Sequence, residues 1–180
     1  MNLLGRMLVT CLGLGYLRPA PGTWGSLPPM VLALMLVTWL GNRAADHALV
    51  NLTIINAVLL VGCAVSAFAC IRWGGAAEAH FGKKDPGSVV ADEVAGQCVA
   101  LLLLPWQWTD DARGIQRNML LAATAFVIFR VLDILKPPPA RHFQRLQGGS
   151  GILIDDLIVG LYACILTHIA AILFPFHAVS

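Results

Sequence analysis

The sequence has little charge. Of its 180 residues, 12% are Asp, Glu, Lys or Arg, against about 25% in an average soluble protein, while 58% are hydrophobic. The mean hydropathy is correspondingly high, at +0.75. The formal net charge is only +2, and no run of five Lys or Arg residues occurs, which argues against a nucleic-acid partner. The composition therefore predicts a membrane protein.

The sequence also lacks the cysteine patterns that form disulfide bonds in small domains or that bind zinc. It has no C-x-x-C pair, and its five cysteines are scattered through apolar stretches, so neither a disulfide framework nor a zinc site is predicted. Arg18 and Pro19 follow the first apolar run without an A-x-A-like cleavage pattern, so we do not expect a cleaved signal peptide. The length predicts a single domain covering residues 1–180.

What the sequence has instead is a series of apolar segments that suit a bilayer. A helix needs about 20 predominantly apolar residues to cross the hydrocarbon core. Three segments meet or approach that length, residues 50–71, 118–135 and 157–174, and two shorter ones, residues 27–40 and 89–104, are predicted to be short, tilted or re-entrant. The predicted fold class is all-α, a multi-pass membrane helical bundle with about five spans. Residues 3–14 are predicted to form an N-terminal helix at the membrane interface.

The loops between these segments differ in basic residues. If consecutive spans alternate in direction, one side of the membrane carries seven Lys or Arg residues and the other carries three. The first set is Arg18, Arg72, Lys83, Lys84, Lys136, Arg141 and Arg145, and the second is Arg43, Arg113 and Arg117. By the positive-inside rule, the side with seven is predicted to be cytoplasmic.

Half of the ten acidic residues lie inside or at the edge of predicted spans. They are Asp92, Glu93, Asp133, Asp155 and Asp156. A carboxylate in the bilayer centre costs about 2.5–3.5 kcal/mol, so these side chains should face inward, and crowded carboxylates repel one another unless a cation joins them. Magnesium fits best, because it combines a few carboxylates with substrate phosphate oxygens. We therefore predict that the five converge on one Mg²⁺ site near the cytoplasmic ends of three helices.

The spacing of small residues agrees with this convergence. Gly96 and Gly160 each lie four residues after one of the aspartates, which would let the two helices approach closely. The simpler alternative is that the aspartates cap helix N-termini, and it stays open for Asp155. It does not explain Asp133, which lies near a helix C-terminus, where a negative charge is unfavourable.

Basic residues surround the predicted mouth of this acidic recess. Arg130, Asp133 and Lys136 share one helical face before three prolines stop the helix. An ion pair on that face is the simple structural interpretation. Lys136, Arg141 and Arg145 beside a metal-binding recess would also attract an anion that needs a metal, and a phosphate ester is such an anion.

Three glycine-containing stretches precede helices on the same side. The first, residues 18–29, carries Thr23 and Ser26 just ahead of a predicted helix, and free N–H groups at a helix start bind anions. Ser88 lies in the second stretch, residues 85–96. Thr23, Ser26 and Ser88 are therefore candidate phosphate ligands. Ser26 as an ordinary N-cap is the alternative for that residue.

Four motifs in order resemble those of bacterial phosphatidylglycerophosphatase A, a family of magnesium-dependent lipid phosphatases. They are PAPGTWGS at residues 19–26, DPGSVVADEVAG at 85–96, FRVLDILKPPP at 129–139 and GGSGILIDDLIVG at 148–160. The four together are specific, whereas an isolated acidic pair is not. The resemblance covers most of the chain, and its departures, such as Pro138 and Ala140, touch no carboxylate.

The resemblance implies an all-helical enzyme of the bacterial cytoplasmic membrane that takes a phospholipid substrate. It would remove the terminal phosphate of phosphatidylglycerophosphate with the help of Mg²⁺ at the cytoplasmic surface. On this hypothesis, the metal ligands are Asp92, Glu93, Asp155, Asp156 and Asp133; the catalytic residues are Asp133, Asp156, Arg130 and Lys136; and the phosphate is bound by Thr23, Ser26, Ser88, Lys136 and Arg141. His142 is a candidate acid for the leaving oxygen, and an aspartyl-phosphate intermediate stays open.

Two alternatives come from other functional classes. Intramembrane carboxylates are also typical of ion or proton carriers, although carriers bind near the bilayer midplane rather than at one membrane end. A helical scaffold without enzymatic activity is the second alternative, and it leaves the acidic residues without a role.

Overall fold

The structure, a computed structural model, describes residues 1–44, 47–84, 86–140 and 149–174. Within those ranges the chain forms helices, turns and irregular backbone, without a β-strand. The helices are α1 (Leu3–Val9), α2 (Pro21–Ala44), α3 (Ala48–Phe81), α4 (Ala91–Ala100), α5 (Ala112–Leu135) and α6 (Gly149–Leu173), and a 3₁₀ turn, Leu14–Tyr16, follows α1. The prediction of an all-α bundle is confirmed.

Four of these helices, α2, α3, α5 and α6, are long and apolar enough to cross a membrane. At 1.5 Å per residue, the 24 residues of α5 span about 36 Å and the 34 residues of α3 about 51 Å. Both lengths exceed the hydrocarbon core, which is about 30 Å thick. Many of their large apolar side chains are exposed, among them Met35, Val61 and Ile172, as expected of helices that face lipid.

The fifth predicted span is broken. The predicted segment 89–104 contains only the ten-residue α4, and the chain then continues to residue 111 as turns and irregular backbone. Pro105 has no N–H to offer a continuing helix, and Leu103 adopts a left-handed backbone with φ of 56°. Leu101, Leu104 and Trp106 are buried, so this unwound segment lies against protein, where irregular backbone at membrane depth is tolerated.

Polar side chains of the long helices replace the hydrogen bonds that the unwound segment lacks. The Asn56 carboxamide accepts from the Leu103 N–H at 2.8 Å, and Nε2 of His168 lies 2.9 Å from the Leu103 carbonyl oxygen. Asn118 pairs with the backbone of Gln107 in both directions, since its Oδ1 accepts at 2.9 Å and its Nδ2 donates at 2.8 Å. These intramembrane polar residues therefore have a structural role.

The helices α2 and α6 begin earlier than predicted. α2 starts at Pro21, so Pro28 and Pro29 lie inside the helix rather than at its start. Proline suits the first helical position, whereas each internal proline leaves one carbonyl of the preceding turn without its helical donor. α6 starts at Gly149 instead of residue 157. Both predicted boundaries were wrong because glycine-rich motifs were assigned to loops.

Glycines let α4 pack closely at the centre of the bundle. A Cβ on Gly96 would lie 2.7 Å from the carbonyl oxygen of Asp156, and a Cβ on Gly160 would overlap the carbonyl of Gly96. A Cβ on Gly25 would lie 2.6 Å from the Cβ of Val90. The predicted close approach of the helices that carry the acidic pairs is confirmed.

The helix α1 covers one end of the bundle beside α3 and α4. It ends at Val9, five residues before the predicted boundary, and the Val9 carbonyl accepts from the Val90 N–H at 2.8 Å. A Cβ on Gly5 would overlap the Trp73 ring, at 2.6 Å from its nearest atom. The location of α1 at a membrane interface stays a prediction.

Candidate metal and phosphate site

Three carboxylates from two helices converge at one end of the bundle. Asp92 and Glu93 lie in the first turn of α4, and Asp156 lies on the facing side of α6. One oxygen from each can be chosen so that all three lie within 4.8 Å of one another. Asp92 is 6% exposed and Asp156 is 1% exposed. Of the five carboxylates predicted to converge, these three form the compact group.

The other two carboxylates, Asp133 and Asp155, lie against Lys136. Lys136 ends α5 in a left-handed conformation, with φ of 46°. Its Nζ lies 2.5 Å from Asp155 Oδ2, 3.7 Å from Asp133 Oδ1 and 3.7 Å from Asp156 Oδ1. Burial alone would lower the pKa of this ammonium, but the charges of Asp156, Asp155 and Asp133 outweigh burial and raise the pKa. Lys136 is therefore a protonated cation that joins α5 to the acidic part of α6.

Neither Asp155 nor Asp156 caps a helix. Both lie within α6, which begins at Gly149, so the capping alternative for Asp155 is wrong. The reason is that the helix includes the GSG sequence that precedes the aspartates. Their side chains instead face the other helices, and Asp155 is 1% exposed.

Arg130 connects Asp133 to the three-carboxylate group. Its Nη1 lies 2.7 Å from Asp133 Oδ2, one helical turn away. Arg130 also lies next to Glu93, because both side chains contact the backbone of Gly22 on α2. A Cβ on Gly22 would overlap Glu93 Oε1 and lie 2.9 Å from the Arg130 guanidinium. The absence of a side chain at Gly22 thus lets α2 approach these two charged groups.

The predicted phosphate ligands on α2 lie inside the helix rather than in a loop. Ser26 is fully buried, and its hydroxyl donates to the Gly22 carbonyl at 2.8 Å. Ser26 is therefore not an N-cap, and its proton is used within α2. Thr23 is half-buried in the first turn, and its N–H donates to the Ala20 carbonyl at 3.0 Å.

The third predicted hydroxyl, Ser88, lies in the segment before α4. It lines a small polar cavity of about 260 Å³ together with Gly15, Tyr16, Arg18, Pro21 and Gly87. The segment that contains Ser88 leads into the first turn of α4, so Ser88 lies at the same end of the bundle as Asp92 and Glu93. Thr23 follows Gly22, which lies against Glu93. Arg141 and His142, predicted to contact phosphate and to donate a proton, lie outside the described residues.

The donor set fits a hard divalent cation. Glu93 Oε2 and Asp156 Oδ2 are buried and have no hydrogen-bond donor among the described residues. Buried carboxylate oxygens normally have a partner, and an oxygen-only set of three carboxylates suits Mg²⁺ or a similar ion. The acidic cluster is a candidate metal site, and the identity of the ion is a separate question.

One buried polar residue next to this cluster was missed from the sequence. Gln97 lies one helical turn after Glu93 on α4 and is fully buried. Its spacing of four from Glu93 was the available signal. It was overlooked because an uncharged amide in an apolar helix does not stand out beside five carboxylates.

The carboxylates and basic residues together could bind a phosphate group and a metal cation at the same time. Five carboxylates face two cationic side chains, Arg130 and Lys136, at the ends of α4, α5 and α6. A cation reduces the excess negative charge, and the two basic groups can then bind the oxygens of a phosphate. These features match a site for phosphoryl chemistry.

Comparison with known proteins agrees with this chemistry. The family model for phosphatidylglycerophosphatase A matches residues 7–171. Phosphatidylglycerophosphatase A of Haemophilus influenzae is 36% identical over 163 residues, which cover 88% of this chain and 83% of the relative. The Escherichia coli protein of the same name is 31% identical over 161 residues, 86% of this chain and 76% of the relative.

A third relative carries a different name. The putative phosphatidylinositol-3-phosphatase of Bacteroides thetaiotaomicron is 29% identical over 168 residues, 91% of each chain. No solved structure matches the chain. The match to the family model, together with two relatives of the same name at 31% and 36% identity, shows that this chain belongs to the phosphatidylglycerophosphatase A family of lipid phosphatases.

Proposed function

We propose that this protein hydrolyses the terminal phosphate ester of phosphatidylglycerophosphate and releases phosphatidylglycerol and inorganic phosphate. The observation that carries the proposal is the placement of Asp92, Glu93 and Asp156 beside Lys136 and Arg130, in a chain of this family. We favour this substrate over a phosphoinositide because the two relatives named for it are 36% and 31% identical, compared with 29% for the relative named for the phosphoinositide.

The cation in this proposal is Mg²⁺, held by Asp92, Glu93 and Asp156. Mg²⁺ is usually bound by a small number of carboxylate oxygens together with water and substrate phosphate oxygens, and these three residues supply the carboxylates. When bound, the ion would neutralise negative charge on the phosphoryl oxygens. Asp133 and Asp155 as further ligands stay predictions, and their contacts with Lys136 and Arg130 give them a second role.

The basic residues bind the phosphoryl group in this mechanism. Lys136 and Arg130 direct their N–H groups at oxygens that become more negative as the ester bond breaks. Asp155 positions Lys136 through the 2.5 Å ion pair. Asp133 lies between the two cations, 2.7 Å from Arg130 and 3.7 Å from Lys136.

The reaction itself is a hydrolysis. Asp133 holds the attacking water and takes one of its protons as the new P–O bond forms. The bond between phosphorus and the glycerol oxygen breaks, and that oxygen takes up a proton, for which His142 is the assigned donor, to become the free hydroxyl of phosphatidylglycerol. Thr23, Ser88 and Arg141 are assigned to the non-reacting phosphate oxygens, and Ser26 supports α2 beneath them.

The site would face the cytoplasm across the bacterial inner membrane. Arg72, Lys83, Lys84 and Lys136 belong to the same end of the helices as the carboxylates, and the positive-inside rule favours the cytoplasm for that end. A phospholipid could then place its head group at the carboxylates and keep its tails in the bilayer. A cysteine introduced at Lys83 that reacts with an impermeant reagent from outside intact cells would contradict this orientation.

The ion-carrier alternative is not favoured by the position of the acidic group. Asp92 and Glu93 lie in the first turn of α4, and Asp133 lies near the last residue of α5. A carrier binds its ion near the midplane of its helices. If purified protein in vesicles moved protons or Mg²⁺ down a gradient, that result would support the ion-carrier alternative.

The test is phosphate release from phosphatidylglycerophosphate by detergent-purified protein. We expect release with Mg²⁺, loss of release with a chelator, and a fall of at least about 100-fold for Asp156→Asn. Asp110→Asn is the matched control, because Asp110 is exposed and lies two residues before α5 begins, at the opposite end of that helix from Asp133. Phosphatidylinositol-3-phosphate is the competing substrate, and faster release from it would overturn our substrate assignment. Release that is indifferent to both chelator and Asp156→Asn would overturn the site.

A further inference from the structure

Gln97 is a buried polar side chain to which the proposed mechanism assigns no role. This residue lies in the middle of α4 and is 0% exposed. Neither its Oε1 nor its Nε2 has a hydrogen-bond partner among the described residues. A carboxamide offers two donors and one acceptor oxygen, and buried groups of this kind are normally satisfied by protein or by ordered water.

Gln97 belongs to the face of α4 that carries Glu93. Residues four apart in a helix have Cβ atoms about 6 Å apart on the same side. Glu93 lies against Gly22 of α2 and beside Arg130 of α5. Gln97 is therefore placed one turn further into the bundle along the same interface, directly beyond the acidic cluster.

The other unpartnered buried atoms in this region complement a carboxamide. Glu93 Oε2 and Asp156 Oδ2 are acceptors, and Arg130 Nε is a donor, and none has a hydrogen-bond partner in the described part of the chain. Donors and acceptors thus occur together next to the charged side chains of the acidic cluster. A buried water molecule needs two to four such polar partners, and this group supplies both kinds.

We propose that Gln97 forms the floor of the metal site, where its carboxamide binds water that also contacts the Glu93 and Asp156 carboxylates. The inference rests on the proposed Mg²⁺ use of those carboxylates. In this arrangement Gln97 is a positioning residue. It fixes the orientation of Glu93 and Asp156 toward the ion and extends the hydrated site one helical turn deeper than the carboxylates.

The test is the Mg²⁺ affinity of Gln97→Met in the purified full-length protein, without substrate. Methionine keeps the length of the side chain and removes its hydrogen-bonding groups. We expect the apparent Kd for Mg²⁺, measured by calorimetry or by the Mg²⁺-dependent rise in Tm, to weaken about tenfold, the scale of effect seen for residues that orient metal ligands. The Tm in chelator should change little, because methionine has nearly the same shape as glutamine and replaces its hydrogen bonds to water by apolar contacts.

Thr167→Val is the matched control. Thr167 is also fully buried, but it lies eleven residues after Asp156 on α6 and donates to the Ala163 carbonyl. Its substitution should leave the Mg²⁺ affinity unchanged. Gln97→Asn is a second test variant in case the methionine chain does not fold; it withdraws the carboxamide by one methylene, and we expect the same weakening.

The outcomes separate this inference from the proposed function. Wild-type Mg²⁺ affinity in either folded Gln97 variant overturns the role of Gln97 and leaves the carboxylate site intact. Equal weakening in Thr167→Val also overturns it, because the effect would then be general to buried polar residues. A wild-type protein that binds no Mg²⁺ overturns both the proposed metal and the inference that depends on it.

Discussion

Lys136 at the end of α5 forms a 2.5 Å ion pair with Asp155 of α6, and the same ammonium lies 3.7 Å from Asp156. The two helices therefore meet through a cation that also lies close to one carboxylate of the candidate metal site. A lysine placed in this way offsets negative charge between the helices, and the proposed function also assigns it to the phosphoryl group. This double role leads to the first prediction.

Lys136→Met should reduce both activity and stability. We expect phosphate release to fall about 100-fold or more, because a donor to the phosphoryl oxygens is lost. The free energy of unfolding should fall by about 3 kcal/mol, because Asp155 is 1% exposed and would lose its ion pair with Lys136. Phosphate release and denaturation in detergent measure the two effects. Lys83→Met, at an exposed lysine after α3, should change neither, and near-normal activity of Lys136→Met would contradict the assignment.

Gly22→Ala should impair catalysis more than folding. The added Cβ would displace Glu93 and Arg130, which are side chains that can move at modest energetic cost. We expect at least a tenfold loss of kcat/KM, since small displacements of catalytic groups cost that much. Gly75→Ala on α3 is the control, because a Cβ there meets nothing within 4 Å. Equal activities of the two alanine variants would show that the approach of α2 to the charged pair is unimportant.

Gly160→Ala, in contrast, should impair folding more than catalysis. Here the added Cβ would overlap the Gly96 carbonyl, which belongs to the backbone of α4 and cannot rotate away. Forcing α4 and α6 apart should cost about 1–3 kcal/mol, as overpacking does in well-packed cores. The measurement is the unfolding transition in chelator, where Mg²⁺ binding does not contribute. An unchanged transition would mean that the two helices are not held at the observed separation.

Asn118→Leu should destabilise the unwound segment. It leaves both the N–H and the C=O of Gln107 without their side-chain partner. Each unsatisfied buried group costs about 1–3 kcal/mol, so we expect a loss of about 2 kcal/mol or more. Asn42→Leu, at an exposed position near the end of α2, is the control. If the two variants have the same Tm, the hydrogen bonds from Asn118 do not stabilise the unwound segment.

The sequence by itself determined the class of protein and selected the charged residues that the structure brings together. Mean hydropathy and segment length required a helical membrane bundle, because backbone groups in lipid must bond within helices. Asp92, Glu93 and Asp156 could be selected from the sequence because an intramembrane carboxylate is costly and must have a function. The four ordered motifs indicated the family through their resemblance to its known sequence pattern, and the match to the family model confirmed it.

Only the tertiary structure decided how those residues are divided. Asp155 and Asp156 are neighbours in sequence, yet one lies against Lys136 and the other lies in the three-carboxylate group. Helices α2 and α6 extend through glycine-rich motifs that resemble loops in sequence, because close contact with α4 stabilises a conformation that local propensity disfavours. The break after Ala100 depends on Asn56, Asn118 and His168, which are distant in sequence. Contacts of this kind follow from packing between helices, and a pattern along one segment does not contain them.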